Sequence, residues 1–142
     1  MSGRELENLA RIGQLKAEQG TRAEFVGLVD SARKRLADAR KEGLSSESRF
    51  DLAYNAAHAF ALAALRWLNY RPANRHVVFQ ALPHTLGVDA AVWRVLAKCH
   101  EHRNLAEYEG RSDIDEQLLI DLIDCTRRLQ AAVAAVDPPA GS

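Results

Sequence analysis

Apolar residues recur every three to four positions over most of this chain, a period that predicts helices rather than strands. Leu6, Leu9, Ile12 and Leu15 fall about three apart and predict a short amphipathic helix over 4–18, ended by Gln19 and Gly20. Thr21 reads as an N-cap, with Glu24 three residues on completing a capping box. The second helix runs from there to about Lys41, with Phe25, Leu28, Val29, Ala32, Leu36 and Ala39 on one face, and Gly43 closes it.

Ser45 or Ser46 caps a third helix, about 47–69. Its apolar residues wrap most of the way round: Phe50, Ala53, Tyr54, Ala57, Phe60, Ala61, Ala64, Leu65 and Leu68. A helix apolar on so many sides belongs at the centre of a bundle, and its alanines allow neighbours to approach closely. Asn69 to Pro72 breaks it, and a short helix at about 74–82 follows. Asp89 caps the fourth long helix, about 90–108, with Val92, Val95, Leu96 and Cys99 inward and Gly110 as its C′ residue. Asp113 caps the fifth, with Glu116 at the capping-box position and Leu118, Leu119, Leu122, Cys125, Leu129 and Val133 on its apolar face. The pattern predicts an all-α, up-and-down bundle of about five helices with a short extra helix. It forms one domain over 1–136, followed by a disordered tail, 137–142.

Composition narrows the function classes. Lys+Arg and Asp+Glu both number 19, so no broad basic surface is advertised, although a local basic cleft is compatible with that balance. Cys99 and Cys125 sit on apolar helical positions without a CxxC pair, which predicts two reduced, buried thiols in a cytoplasmic protein. Met1 leads straight into a charged helix, so no signal segment is expected. The longest apolar run, Ala56 to Leu65, is broken by His58 and ends at Arg66, which predicts no membrane span. HExxH, Gly-rich phosphate loops and GxSxG elbows are absent, and the sequence points to no metal and no cofactor.

One segment is not explained by packing. From Cys99 to Gly110 the chain sets His100, His102, Arg103, Asn104, Glu107 and Tyr108 at the end of an otherwise apolar helix. Leu96, His100, Arg103 and Glu107 share a face, and His102 lies on another side. An arginine there suits phosphate, and a histidine moves protons near neutral pH. The same residues also suit an ordinary helix terminus, with Arg103 and Glu107 as an i,i+4 pair. On the third helix Asp51, Tyr54, Asn55 and His58 form an i, i+3, i+4, i+7 stripe. Buried polar groups require partners, and the polar stripe of the fourth helix could supply them. Arg71, Asn74, Arg75, His76 and His84 lie between, and with Arg94 and Arg103 they suggest a local anion site. Arg33, Lys34, Arg35, Arg40 and Lys41 read instead as the solvated face of the second helix.

Two stretches give the chain a family likeness. One is the Ala-rich helix from Arg49 to Arg66, followed by a break and His76. The other is Arg103, Asn104, Glu107, Tyr108 and Gly110. With the helix order, they make residues 24–135 resemble a HEPN domain, the helical domain of many prokaryotic defence and toxin–antitoxin systems. Ribonucleases of that family carry Arg, four to six residues, then His, and build their site where two copies of the helix meet. Arg103 and Asn104 match the start of that motif, but Tyr108, Glu109 and Gly110 stand where the His should be. The ending is similar to a branch with Ala, an acid and Tyr, whose members are not established nucleases. The resemblance therefore implies a non-catalytic homodimer. Its third and fourth long helices lie near the interface, and it binds a nucleotide, RNA or protein partner through Arg103. A nucleotidyltransferase antitoxin is a family-type partner, with Tyr108 as a modification site. The alternative is a divergent metal-independent endoribonuclease using Arg103 with His100 or His102. A purely structural polar stripe is the third reading.

Overall fold

The N-terminal helix is shorter than its apolar spacing predicts. In the computed structural model, which describes residues 2–109 and 115–136, α1 covers Ser2–Arg11. Gly13 then takes a left-handed conformation (φ 83°), open to glycine at no steric cost, and turns the chain out of the helix. Ile12 is left exposed, while Leu15 is buried as part of a strand. That strand, β1 (Leu15–Ala17), pairs antiparallel with β2 (Tyr70–Pro72), Lys16 lying opposite Arg71. Three-residue strands carry too little alternation to stand out beside a helical period.

The long helices follow the sequence closely. α2 (Arg22–Ala39) is capped by the Thr21 hydroxyl, which accepts from the Glu24 amide at 3.1 Å. The Glu24 carboxylate turns to Arg66 and Arg71. α3 (Ser46–Trp67) is capped by Ser45 and is central: it packs against α2, α7, α4 and α6, and its alanines from Ala53 to Ala64 are buried. The restart after the break is two short helices, α4 (Arg75–Gln80), capped by Asn74, and α5 (Leu82–Thr85). α6 covers Ala90–Glu109, burying Val92, Leu96 and Cys99. α7 covers Glu116–Ala134. Asp113 and Gly110 lie outside the described residues, as does the tail 137–142. The α7 cap is Asp115, whose carboxylate accepts from the Gln117 amide at 3.0 Å. Glu116 therefore occupies the first helical position rather than the third, where its charge still favours the helix N-terminus.

Among the described residues the result is an all-α helical bundle with one small two-stranded sheet. Cys99 and Cys125 are free and buried, and burial pushes their thiols up, to about 12 and about 11. Among the described residues no helix is long and apolar enough to cross a membrane.

A buried arginine joins the sheet to the bundle. Arg66, near the end of α3, is 1% exposed. Its guanidinium donates to the carbonyls of Glu18, Gln19 and Tyr70 at 2.9–3.0 Å and to the Glu24 carboxylate at 3.0 Å. Glu18 also pairs with it, at 3.2 Å. Asn69, at φ 68°, turns the chain and accepts from the Gly20 amide at 3.0 Å. Gly20 lies so close to Arg66 that an added Cβ would stand 2.2 Å from the Arg66 carbonyl oxygen.

Candidate functional site

α3, α4 and α6 bring their polar residues together on one side of the bundle. Tyr54 is buried on α3 among Phe50, Phe79 and His100. Its hydroxyl lies 2.7 Å from Nδ1 of His100. The other ring nitrogen, Nε2, is 3.3 Å from Nδ2 of Asn104 one turn later. An amide nitrogen only donates, so Nε2 is the acceptor, and a neutral His100 carries its proton on Nδ1, pointed at the Tyr54 oxygen.

Two arginines from different helices converge beside this pair. Arg103 on α6 places its guanidinium carbon 4.9 Å from the centre of the Tyr54 ring and donates to Oδ1 of Asn55 at 3.4 Å. Arg75, at the start of α4, reaches the same oxygen at 3.5 Å and lies 6.0 Å from the same ring. Asn55 is held in place because its own amide donates to the Asp51 carbonyl at 2.9 Å. Asn55 thus presents its oxygen to both cations, and Tyr54 offers both its π face.

Burial and that field together lower two of the histidines. Burial, then Arg75, Arg103 and His100, push His58 down to about 4. Its ring packs edge-on against Phe79, centroids 6.0 Å apart. Burial, then His76, Arg75 and Arg103, also lower His100. Burial raises Tyr54 against the opposing pull of Arg75 and Arg103. His76 is exposed, with its ring centre 6.0 Å from that of His100. Arg75 and Arg103 are charged at neutral pH, and His100, its proton affinity lowered chiefly by burial, stands beside them as a neutral imidazole.

The stripe on the third helix and the stripe on the fourth do meet, as their spacings suggested. Tyr54, Asn55, His58, His76, His100, Arg103 and Asn104 form one cluster. Asp51 joins it through its main-chain carbonyl. His102 lies elsewhere, its ring 5.4 Å from Phe50 and its Nε2 buried without a hydrogen-bond partner. The side chains of Glu107 and Tyr108 lie outside the described residues.

The basic stretch after α3 divides. Arg71 is answered by acids, pairing with Glu18 beside β1 and with Glu24 of α2, and Asn74 is a helix cap. Arg75 alone of this group reaches the cluster through its side chain's guanidinium. Arg33 and Lys34 pair with Asp30 on the exposed face of α2, as a solvated charge run does. Sequence reasoning named Arg75 only as part of a basic loop and did not single out Trp93 or Lys98. Both line a groove of about 450 Å³ with His76, Arg94, His100 and Asn104. The available signal was Trp93, Ala97, His100 and Asn104 at i, i+4, i+7 and i+11 on one helix face.

No family model, no curated protein and no solved structure matches this chain.

Proposed function

We propose that this protein is a HEPN-like helical module that binds the phosphate of a nucleotide or RNA at the Arg75–Arg103 cluster. The observation that carries this reading is the convergence of both guanidiniums on Asn55 and Tyr54. A pair of planar cations held by a fixed amide oxygen and an aromatic face is preorganised for a phosphate. Burial first, and then the positive charge of Arg75 and Arg103, lowers His58 and His100 beside them. The module works as a homodimer with α3 and α6 near the interface, in a defence, toxin–antitoxin or stress setting. A nucleotidyltransferase-type antitoxin is its protein partner. The test is titration of labelled single-stranded RNA with wild-type protein and with Arg75→Ala and Arg103→Ala. Weaker binding by both folded variants supports the reading, and unchanged binding rejects it. Light scattering at micromolar protein tests the dimer: a monomer contradicts it.

One observation favours a second reading, a metal-independent endoribonuclease using Arg103 with His100: His102 lies apart against Phe50, and the ring beside His100 is that of His76. In that reaction Nε2 of His100 takes the proton of a ribose 2′-hydroxyl, and O2′ attacks the adjacent phosphorus. The bond from phosphorus to O5′ breaks, and His76 donates a proton to the leaving oxygen. The products are a 2′,3′-cyclic phosphate and a 5′-hydroxyl. Cleavage of tRNA in EDTA by wild type, lost in His100→Ala and Arg103→Ala, selects this reading. No cleavage by the wild type leaves the binding module.

A further inference from the structure

We infer that the groove along α6 from His100 and Asn104 to Trp93 is a second subsite, which stacks a base of single-stranded RNA whose phosphate sits at Arg75 and Arg103. The inference rests on the proposed function and extends it from a mononucleotide to a strand. Trp93 is half-buried and lines the groove, and exposed Arg94 and Lys98 stand beside it. Glu101 is the one acid among the lining residues, against two cations. His76, His100 and Asn104 belong both to this groove and to the cluster, so the two are continuous.

Spacing sets the occupant. Trp93 precedes Arg103 by ten positions on one helix, about 15 Å along the axis at about 1.5 Å per residue. A nucleotide with its phosphate at Arg103 leaves Trp93 to a neighbouring base. A volume of about 450 Å³ suits a base with its sugar. An aromatic platform beside a line of cations is the arrangement by which single strands are bound without reading sequence. A mononucleotide has no second base for Trp93, whereas a strand has one.

The experiment compares the affinity of full-length protein for adenosine monophosphate and for a labelled six-nucleotide single-stranded RNA. Wild type binds the hexanucleotide about tenfold more tightly than the mononucleotide, the size of one stacked base. Trp93→Ala removes that advantage and leaves mononucleotide binding as it was, while Trp93→Phe keeps most of it. If Trp93→Ala fails to fold, the surface variant Lys98→Glu reads the same loss. Arg103→Ala weakens both ligands, which separates the two sites. A hexanucleotide advantage that survives in Trp93→Ala or in Lys98→Glu overturns the subsite and leaves the phosphate site standing. Tripolyphosphate competing as well as the hexanucleotide also overturns it, because that ion has phosphates and no bases. Failure of wild type to bind either ligand overturns both readings.

Discussion

The Tyr54 hydroxyl lies 2.7 Å from Nδ1 of His100 and ties the central helix to the helix that carries Arg103. The contact fixes the imidazole so that Nδ1 faces the core and Nε2 faces Asn104 and the groove. A histidine on an exposed helix end would rotate freely; this one is oriented from beneath by a buried phenol.

Tyr54→Phe tests that orientation. The ring and its packing against Phe50 and Phe79 remain, and only the oxygen is lost. The expected cost is about 1 kcal/mol in urea unfolding, the net value of one such bond. The His100 imidazole signals should broaden or split in an NMR titration as the ring gains a second orientation. Unchanged stability and unchanged His100 signals would show that the bond orients nothing.

His58 makes the fold acid-sensitive. Its folded value is pushed down to about 4, below the ordinary 6.5 of an unfolded histidine. Between those values the unfolded chain binds more protons, so stability falls as pH drops from about 6.5 towards about 4. His100 is lowered too and adds to the same slope. The loss from His58 approaches ~3 kcal/mol over the full window. Glu18 is held below its usual range by Arg71, so its own loss comes at lower pH. Unfolding free energies near pH 7 and pH 5 should differ clearly in wild type and less in His58→Gln, which carries no titratable group there. Equal slopes in the two proteins would place the acid sensitivity elsewhere.

The Arg66 hub predicts a second sensitive point, far from the cluster. Arg66→Met leaves three carbonyls and two carboxylates without their shared donor and should cost about 3–5 kcal/mol. Gly20→Ala forces a methyl group against the Arg66 carbonyl and should cost about 2 kcal/mol. Gly27, on α2, has nothing within 4 Å of the position an added Cβ would take. Gly27→Ala should therefore stabilise by about 0.5–1 kcal/mol. Thermal melts of the three variants give the order, and equal melting of Gly20→Ala and Gly27→Ala would contradict the close approach.

The long helices were legible in the sequence because periodicity and caps agreed: Thr21 and Ser45 cap where their positions said, and the Ala-rich helix is central. Leu15 was misread because a Leu at helical spacing looks the same whether it ends a helix or opens a three-residue strand; Gly13 was the discriminating signal. Polar stripes at i, i+3, i+4 and i+7 correctly brought Tyr54 and Asn55 to face His100 and Arg103. Local sequence could not tell Arg71, in β2, from Arg75, at the start of α4. That difference depends on which carboxylates the fold delivers, and Glu18 and Glu24 arrive from a part of the chain about fifty residues away. Arg66 looked like the polite end of an apolar run for the same reason.

The most direct measurement is the affinity of labelled single-stranded RNA for wild type, Arg103→Ala and Arg33→Ala at two salt concentrations. Arg33 is the control, an exposed cation paired with Asp30 on α2. The account predicts that Arg103→Ala lowers affinity about tenfold and flattens the salt dependence, as loss of a phosphate contact should, while Arg33→Ala binds like wild type. Equal affinity of Arg103→Ala and wild type, or the same loss in both variants, would contradict a phosphate site at Arg103.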